Sequence, residues 1–111
     1  MTELSDKTCV PCEGGVPALT ATEARNLLKQ LRPGWALNDV TTEIAREYGF
    51  KDFYRTMAFV NAVAFIANRE DHHPDLEVGY NRCRVRYSTH AIKGLSENDF
   101  ICAAKIDALG L

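Results

Sequence analysis

The chain has 111 residues, of which 46% are hydrophobic and 25% charged, so we expect one globular domain with a single core. Its formal net charge is −2 and no block of lysine and arginine stands out, which argues against nucleic-acid binding through a basic face. No apolar run approaches the roughly 20 residues of a membrane span, and the N-terminus lacks the order of a signal peptide, so a cytoplasmic protein is expected.

Residues 1–19 show no hydrophobic periodicity and are predicted to form a tail or an extended arm before a domain at residues 20–111. Cys9 and Cys12 have the spacing of half a zinc site or of a redox pair. No second Cys-x-x-Cys or His-x-x-x-His pair completes a zinc site, and a redox pair of the thioredoxin kind would lie between a strand and a helix. A mobile tail without a functional role for the pair is therefore the favoured interpretation.

The first part of the domain is predicted to contain one helix and two strands. Thr20 and Glu23 form a capping box, and leucines at helical spacing follow until Pro33 stops the helix. Two strands are expected over residues 35–40 and 43–50, joined by a turn.

The longest helical pattern follows, and two sets of residues mark its apolar face. One stripe contains Phe53, Met57, Val60, Ala64 and Ala67, and Phe59, Val63 and Ile66 widen it. A helix this apolar is predicted to be the central core element, with its aromatic side chains packed in the core.

In the second half of the chain the apolar pattern changes to period two, which predicts two strands joined by a tight hairpin. If Asn81 and Arg82 form the loop, His73 lies opposite His90, and directly opposed residues have Cβ atoms about 5 Å apart. His72 precedes His73, so all three histidines of the chain are predicted to converge.

Ser96 and Asp99 are predicted to cap a last helix. The order of elements is then α-β-β-α-β-β-α. This order predicts an α+β fold, in which a four-stranded antiparallel sheet carries its helices on one face.

The histidine cluster suits three roles. Imidazole titrates near neutrality, so one ring can donate a proton while another accepts one. His72, His73 and His90 could instead supply three nitrogens to a metal, although adjacent histidines on an extended segment point to opposite sides and no clear fourth ligand is placed. Acid–base catalysis is favoured, and metal binding and a purely structural cluster stay open.

Four segments carry a more specific pattern: Asp71-His72-His73-Pro74-Asp75, Tyr80-Asn81, Ser88-Thr89-His90 and Gly94-Leu95-Ser96-Glu97-Asn98-Asp99. In their order and spacing they resemble the signature of the pterin-4a-carbinolamine dehydratase family. The resemblance extends more loosely upstream and covers about residues 20–110.

This resemblance implies the dehydration of a 4a-hydroxytetrahydrobiopterin-type carbinolamine to quinonoid dihydropterin, which recycles the tetrahydropterin of aromatic amino-acid hydroxylases. It implies that His72 and His90 form the acid–base pair and that His73 positions the pterin, with no cofactor and no metal. Thr89 and Asp99 match family positions near the site, but they also suit a strand and a helix cap.

The sequence departs from the family pattern at two positions. Many members have an acidic residue where this chain has Asn68, which we keep as a candidate substrate-binding residue, and an aromatic residue where it has Leu76. An amide cannot hold a histidine protonated through charge, so either the pKa of the pair differs or Glu70 or Asp71 takes over. Leu76 is expected to loosen the packing around the pterin.

The resemblance also implies a homodimer or homotetramer. Animal members of the family serve as dimerisation partners of a transcription factor, so the alternative function is a non-catalytic pterin-binding or dimerisation protein. A pterin-binding protein of molybdopterin metabolism is a related hypothesis. Three titratable rings in one cleft favour the enzyme, because a pure binding module does not need them.

Overall fold

The computed structural model describes residues 3–10 and 17–110. Its elements in chain order are a 3₁₀ helix at Leu4–Asp6, α1 at Ala21–Leu28, β1 at Ala36–Leu37, β2 at Ile44–Gly49, α2 at Phe53–Glu70, β3 at Asp75–Val78, β4 at Arg82–Tyr87, a second 3₁₀ helix at His90–Ile92 and α3 at Glu97–Asp107. The predicted α+β class and the order α-β-β-α-β-β-α are confirmed. None of the helices in this part of the chain is long and apolar enough to cross a membrane.

The four strands form one antiparallel sheet in the order β1-β2-β4-β3. Alternation along β4 explains its placement, since Cys83, Val85 and Tyr87 are fully buried while Arg82 and Arg84 face solvent. The buried side chains of β2 and β4 form one hydrophobic cluster with side chains of α2 and α3. The sheet is therefore covered by helices on its apolar face and solvated on the other.

The hairpin of β3 and β4 has a different register from the one predicted. Leu76 pairs with Val85, two residues from its expected partner Tyr87. Arg82 belongs to β4 because it also pairs with Gly49 of β2. The N–H of Gly79 donates to the Arg82 carbonyl oxygen at 2.8 Å, so the turn lies at Tyr80 and Asn81, one residue earlier than predicted. A shift of two residues keeps every side chain on its predicted face, but the predicted pairing of the two histidines across the hairpin is wrong.

The buried face of α2 also differs from the prediction. Its buried residues are Thr56, Phe59, Val63, Ile66 and Ala67. Phe59 packs in the core as predicted, whereas Phe53 is 49% exposed and stacks on Tyr80 at the surface. The reason is Thr56, whose hydroxyl donates to the Tyr80 carbonyl oxygen at 2.9 Å and turns this polar position towards the hairpin loop.

Residues 3–10, which we call the N-terminal arm, pack against the end of α2 and against α3. Leu4 is only 4% exposed, and Lys105 of α3 donates to the carbonyl oxygen of Ser5 at 2.9 Å. These contacts place residues 3–10 against the domain. Cys12, the second half of the predicted cysteine pair, lies outside the described residues.

Two polar side chains fix the ends of the first strands and of α3. Asn38 accepts hydrogen bonds from the backbone of Thr42 and Glu43, and this turn makes β1 shorter than predicted. Asp107, at the end of α3, accepts from Trp35 Nε1 at 3.0 Å and pairs with Arg46 at 2.9 Å. These bonds hold α3 against the first two strands and so position its other end, which enters the site.

Candidate active site

The three histidines line one cleft of about 430 Å³, which lies within the usual size range of small-molecule sites. Its walls come from four separate segments: the arm, the end of α2, the end of β4 with the second 3₁₀ helix, and the start of α3. The lining residues are Cys9, Val10, Glu70, Asp71, His72, His73, Ser88, Thr89, His90, Ala91 and Asn98. The predicted convergence of the histidines is confirmed, although a different register produces it.

His72 is fixed by the way α2 ends. Asp71 adopts a left-handed conformation with φ 51°, and the backbone N–H of His72 donates to the Ala67 carbonyl oxygen at 3.1 Å. The imidazole then stacks on Tyr87, with ring centroids 5.6 Å apart and planes 6° from parallel. Its Nε2 lies 2.6 Å from Oδ1 of Asp99, and the exposed fractions of the two side chains are 12% and 0%.

The pKa of His72 is raised above its ordinary value. Burial by itself would lower it, but the hydrogen bond that the ring donates to Asp99 and the charge of that carboxylate act more strongly together in the opposite direction. The charges of Cys102 and Asp71 add to the increase. Because Nε2 faces Asp99, Nδ1 is the ring nitrogen that takes no part in this hydrogen bond.

Asp99 caps α3 and also contacts His72. Its Oδ2 accepts from the backbone N–H of Ser96 at 3.0 Å, which completes the capping box of α3. The same oxygen accepts from the hydroxyl of Thr89 at 2.8 Å, while Oδ1 meets His72. Thr89 is buried, so its hydroxyl orients the carboxylate rather than pointing at solvent.

His73 and His90 are exposed, unlike His72. His73 has a different partner from His72, because its Nε2 lies 3.3 Å from Oδ1 of Asn68. His90 opens the second 3₁₀ helix, where the chain leaves β4.

Asn68 therefore serves His73 rather than His72. Of the two carboxylates expected to compensate for this amide, Glu70 accepts from the backbone N–H of Cys9 at 2.9 Å and is occupied by the arm. Asp71 acts on His72 through its charge. The carboxylate that contacts the His72 ring is that of Asp99.

Among the residues that the structure describes, no three histidine, cysteine or acidic side chains are arranged to hold a metal ion. The cleft contains histidine rings that can donate or accept protons and that differ in their exposure to solvent. His72 is half-buried and held by a carboxylate, and His90 is in contact with solvent. Such a set can deliver a proton to one atom of a bound molecule and remove a proton from another.

Sequence reasoning missed Tyr87, Val10 and Asn98 as parts of the site. A signal for Tyr87 existed, because strand alternation places it on the same face as Thr89. No comparable signal existed for Val10 and Asn98, which are 88 residues apart in the chain and meet only through the packing of the arm.

The chain is similar in sequence to known proteins. The profile of the family described as pterin 4 alpha carbinolamine dehydratase matches residues 17–109. A Nitrosomonas eutropha protein provisionally named pterin-4-alpha-carbinolamine dehydratase is 64% identical over 107 residues, which cover 96% of this chain and 93% of that protein. A Legionella pneumophila protein with the same provisional name is 58% identical over 107 residues, with coverages of 96% and 95%.

Two solved structures share the fold of this chain. A Brucella melitensis protein described as a transcriptional coactivator/pterin dehydratase has a TM-score of 0.78 and 36% identity, over 83% of this chain and 97% of that one. A pterin dehydratase-like protein described as a RuBisCO assembly factor has a TM-score of 0.59 and 21% identity, over 68% of this chain and 88% of that one, so it shares the fold alone.

Proposed function

Because the chain belongs to the pterin-4a-carbinolamine dehydratase family, we propose that it removes water from 4a-hydroxytetrahydropterin by histidine acid–base catalysis. The observation that carries this proposal is the pairing of half-buried His72 with buried Asp99 at the wall of a cleft that two further histidines line. The reaction needs an acid and a base within one site, and the cleft offers both.

In the proposed reaction, protonated His72 gives the proton on Nδ1 to the hydroxyl at C4a of the pterin. The C4a–O bond breaks and water leaves. His90 takes the proton from N5, and the electron pair of that N–H bond forms the C4a–N5 double bond of quinonoid dihydropterin. Exchange with solvent then returns His72 to its charged form and His90 to its neutral form.

This assignment of acid and base is supported by the environments of the two rings. The raised pKa of His72 favours the charged form near neutral pH, as a proton donor requires. His90 has an exposed ring that can pass its proton to water. Asp99 stabilises the charged form of His72 and fixes its orientation.

The remaining predicted site residues have supporting roles in the proposal. If His73 donates from Nε2 to Asn68, its Nδ1 is an acceptor for the N–H groups at the edge of the pterin. His73 and Asn68 would then bind and orient the substrate, while Thr89 holds Asp99 in position. The link to an aromatic amino-acid hydroxylase and the cytoplasmic location remain predictions from the sequence.

Stopped-flow kinetics on freshly generated 4a-hydroxytetrahydropterin test this function. We expect the wild type, after treatment with a chelator, to speed dehydration well above the rate in buffer. The double variant His72→Gln, His90→Gln should lose about 10²-fold or more in kcat while keeping its circular dichroism spectrum. His73→Gln is the matched variant and should mainly raise KM. A wild type no faster than buffer would contradict the proposal.

A non-catalytic partner protein is the second candidate function. It is supported by the description of the Brucella melitensis protein as a coactivator, and by the stacked side chains of Phe53 and Tyr80, which are 49% and 66% exposed. Pterin binding without any acceleration of dehydration would favour this candidate.

A further inference from the structure

We propose that the N-terminal arm forms one wall of the substrate cleft and that Val10 contacts the bound pterin. This inference rests on the proposed function and extends it to a segment that precedes the match to the family profile, which begins at residue 17. Cys9 and Val10 line the same cleft as the three histidines, although the chain places them more than 60 residues before His72.

The backbone of the arm is held firmly beside the cleft. The N–H of Val10 donates to Oδ1 of Asn98 at 3.0 Å, and the amide nitrogen of Asn98 donates back to the Val10 carbonyl oxygen at 2.6 Å. The N–H of Cys9 donates to Glu70 at 2.9 Å, and its sulfur lies 3.5 Å from that of Cys102. The arm is thus attached to both α2 and α3, and none of these contacts uses the side chain of Val10.

Val10 lines the cleft, and its side chain is not needed to hold the arm. It is 66% exposed, whereas the neighbouring Cys9 packs against the hydrophobic core. Apart from Cys9 and Ala91, the other described residues that line the cleft have polar or charged side chains. Val10 is therefore the largest apolar side chain that this cleft presents.

A pterin requires such a contact. It is a flat bicyclic ring, whose edge carries hydrogen-bond donors and acceptors and whose faces are apolar. Small-molecule sites combine a few placed polar groups with apolar surface that covers the faces of the ligand. The histidines, Asn68 and the backbone can satisfy the edge of the ring, and Val10 supplies aliphatic surface for a face. Placing a charge at this position removes that surface without disturbing the hydrogen bonds of the arm.

The test compares Val10→Asp and Val10→Ala with the control Val40→Asp. Val40 is 72% exposed and does not line the cleft, so its variant introduces the same charge at a matched exposure elsewhere. KM and kcat are measured by stopped flow, and the Kd of a stable 7,8-dihydropterin by fluorescence quenching. We expect Val10→Asp to raise KM and Kd about 5-fold or more and Val10→Ala about 2-fold, with kcat within about 2-fold of wild type. Val40→Asp should match the wild type.

Equal KM and Kd for Val10→Asp and Val40→Asp would overturn the role of the arm while leaving the dehydratase function intact. If the wild type binds dihydropterin without speeding dehydration, the proposed function fails, and the difference in Kd between the two variants still decides the role of Val10. A wild type that neither binds nor reacts overturns both.

Discussion

The hydrogen bond between His72 Nε2 and Asp99 Oδ1 joins a titratable ring to a helix cap over a separation of 27 residues. The bond is 2.6 Å long, and the Asp99 side chain is completely buried. A charged hydrogen bond in such surroundings is stronger than one in water, so the protonated form of His72, the proposed proton donor, also stabilises the fold. At the scale of single residues, the stability of the fold and the proposed chemistry therefore involve the same ring.

The stability of the protein should depend on pH through His72. The pKa of this ring is higher in the folded chain than in the unfolded one, so its contribution is fully present below the unfolded value of about 6.5 and is lost as the pH rises through the folded value. We expect His72→Gln to lower the free energy of unfolding by about 1–3 kcal/mol at pH 5.5, and by less at pH 9. Urea denaturation at both pH values measures this difference.

The control for this prediction is His73→Gln. The ring of His73 is exposed, so the variant should change the free energy of unfolding by less than about 0.5 kcal/mol at pH 5.5. A loss in His72→Gln that is the same at both pH values would show that packing, and not the charged hydrogen bond, stabilises the site.

Much of the site at this scale could be predicted from the residues. The three histidines are found together, although not through the predicted hairpin register. Asp99 was correctly placed as a cap, because a capping box is a local signal. The pairing of Asp99 with His72 could not be predicted in the same way. It depends on where α3 lies against the end of α2, which tertiary packing decides.

At the scale of elements, the connection between β4 and α3 holds Thr89 and Asp99 in position. The N–H of Thr89 donates to the Gly94 carbonyl oxygen at 2.8 Å. The N–H of Leu19 donates to the Leu95 carbonyl oxygen at 2.9 Å. The segment before α1 therefore lies directly against this connection. At Gly94 the approach is so close that a Cβ atom would lie 2.6 Å from the Cβ of Ala18.

We expect Gly94→Ala to lower the free energy of unfolding by about 1–3 kcal/mol, because the added methyl group forces two packed segments apart. The second substitution Ala18→Gly should recover part of this loss by removing the opposing methyl group. Gly49→Ala is the matched control, since a Cβ atom there would contact nothing within 4 Å. Urea denaturation compares the variants, and equal losses in Gly94→Ala and Gly49→Ala would contradict the close approach.

Helices and strands were predicted well where a local signal defines their ends. They were predicted less well where contacts with the rest of the sheet set the strand register or the buried face. The capping box at Thr20 and Glu23 starts α1 as predicted. The hairpin register was wrong by two residues because pairing with β2 draws Arg82 into β4. The buried face of α2 was rotated because Thr56, a polar residue, is turned inwards by hydrogen bonds that no hydrophobic pattern can reveal.

At the scale of the whole molecule, the cleft depends on the convergence of four chain segments, and the sheet leaves β1 and β3 at its two edges. An edge strand presents unpaired backbone groups that another chain can pair with. Near the β3 edge, Val78 and Tyr80 are 43% and 66% exposed, which is apolar surface that a second copy of the chain can cover.

The oligomeric state implied by the family resemblance is testable directly. We expect light scattering coupled to size-exclusion chromatography to give a mass two or four times that of one chain. The double variant Val78→Lys, Tyr80→Lys should shift this mass towards that of one chain if the β3 edge carries the interface. A wild type with the mass of one chain at every concentration measured would contradict the expectation.

The most direct test of the account is the pH dependence of kcat in the wild type and in Asp99→Asn. If protonated His72 donates the proton that releases water, kcat falls as the pH rises through its pKa. Removing the charge of Asp99 lowers that pKa, so the falling limb should move to lower pH and kcat at pH 7.5 should drop about 10-fold or more. An unmoved limb and an unchanged kcat, in a variant with native circular dichroism, would contradict the role of the pair.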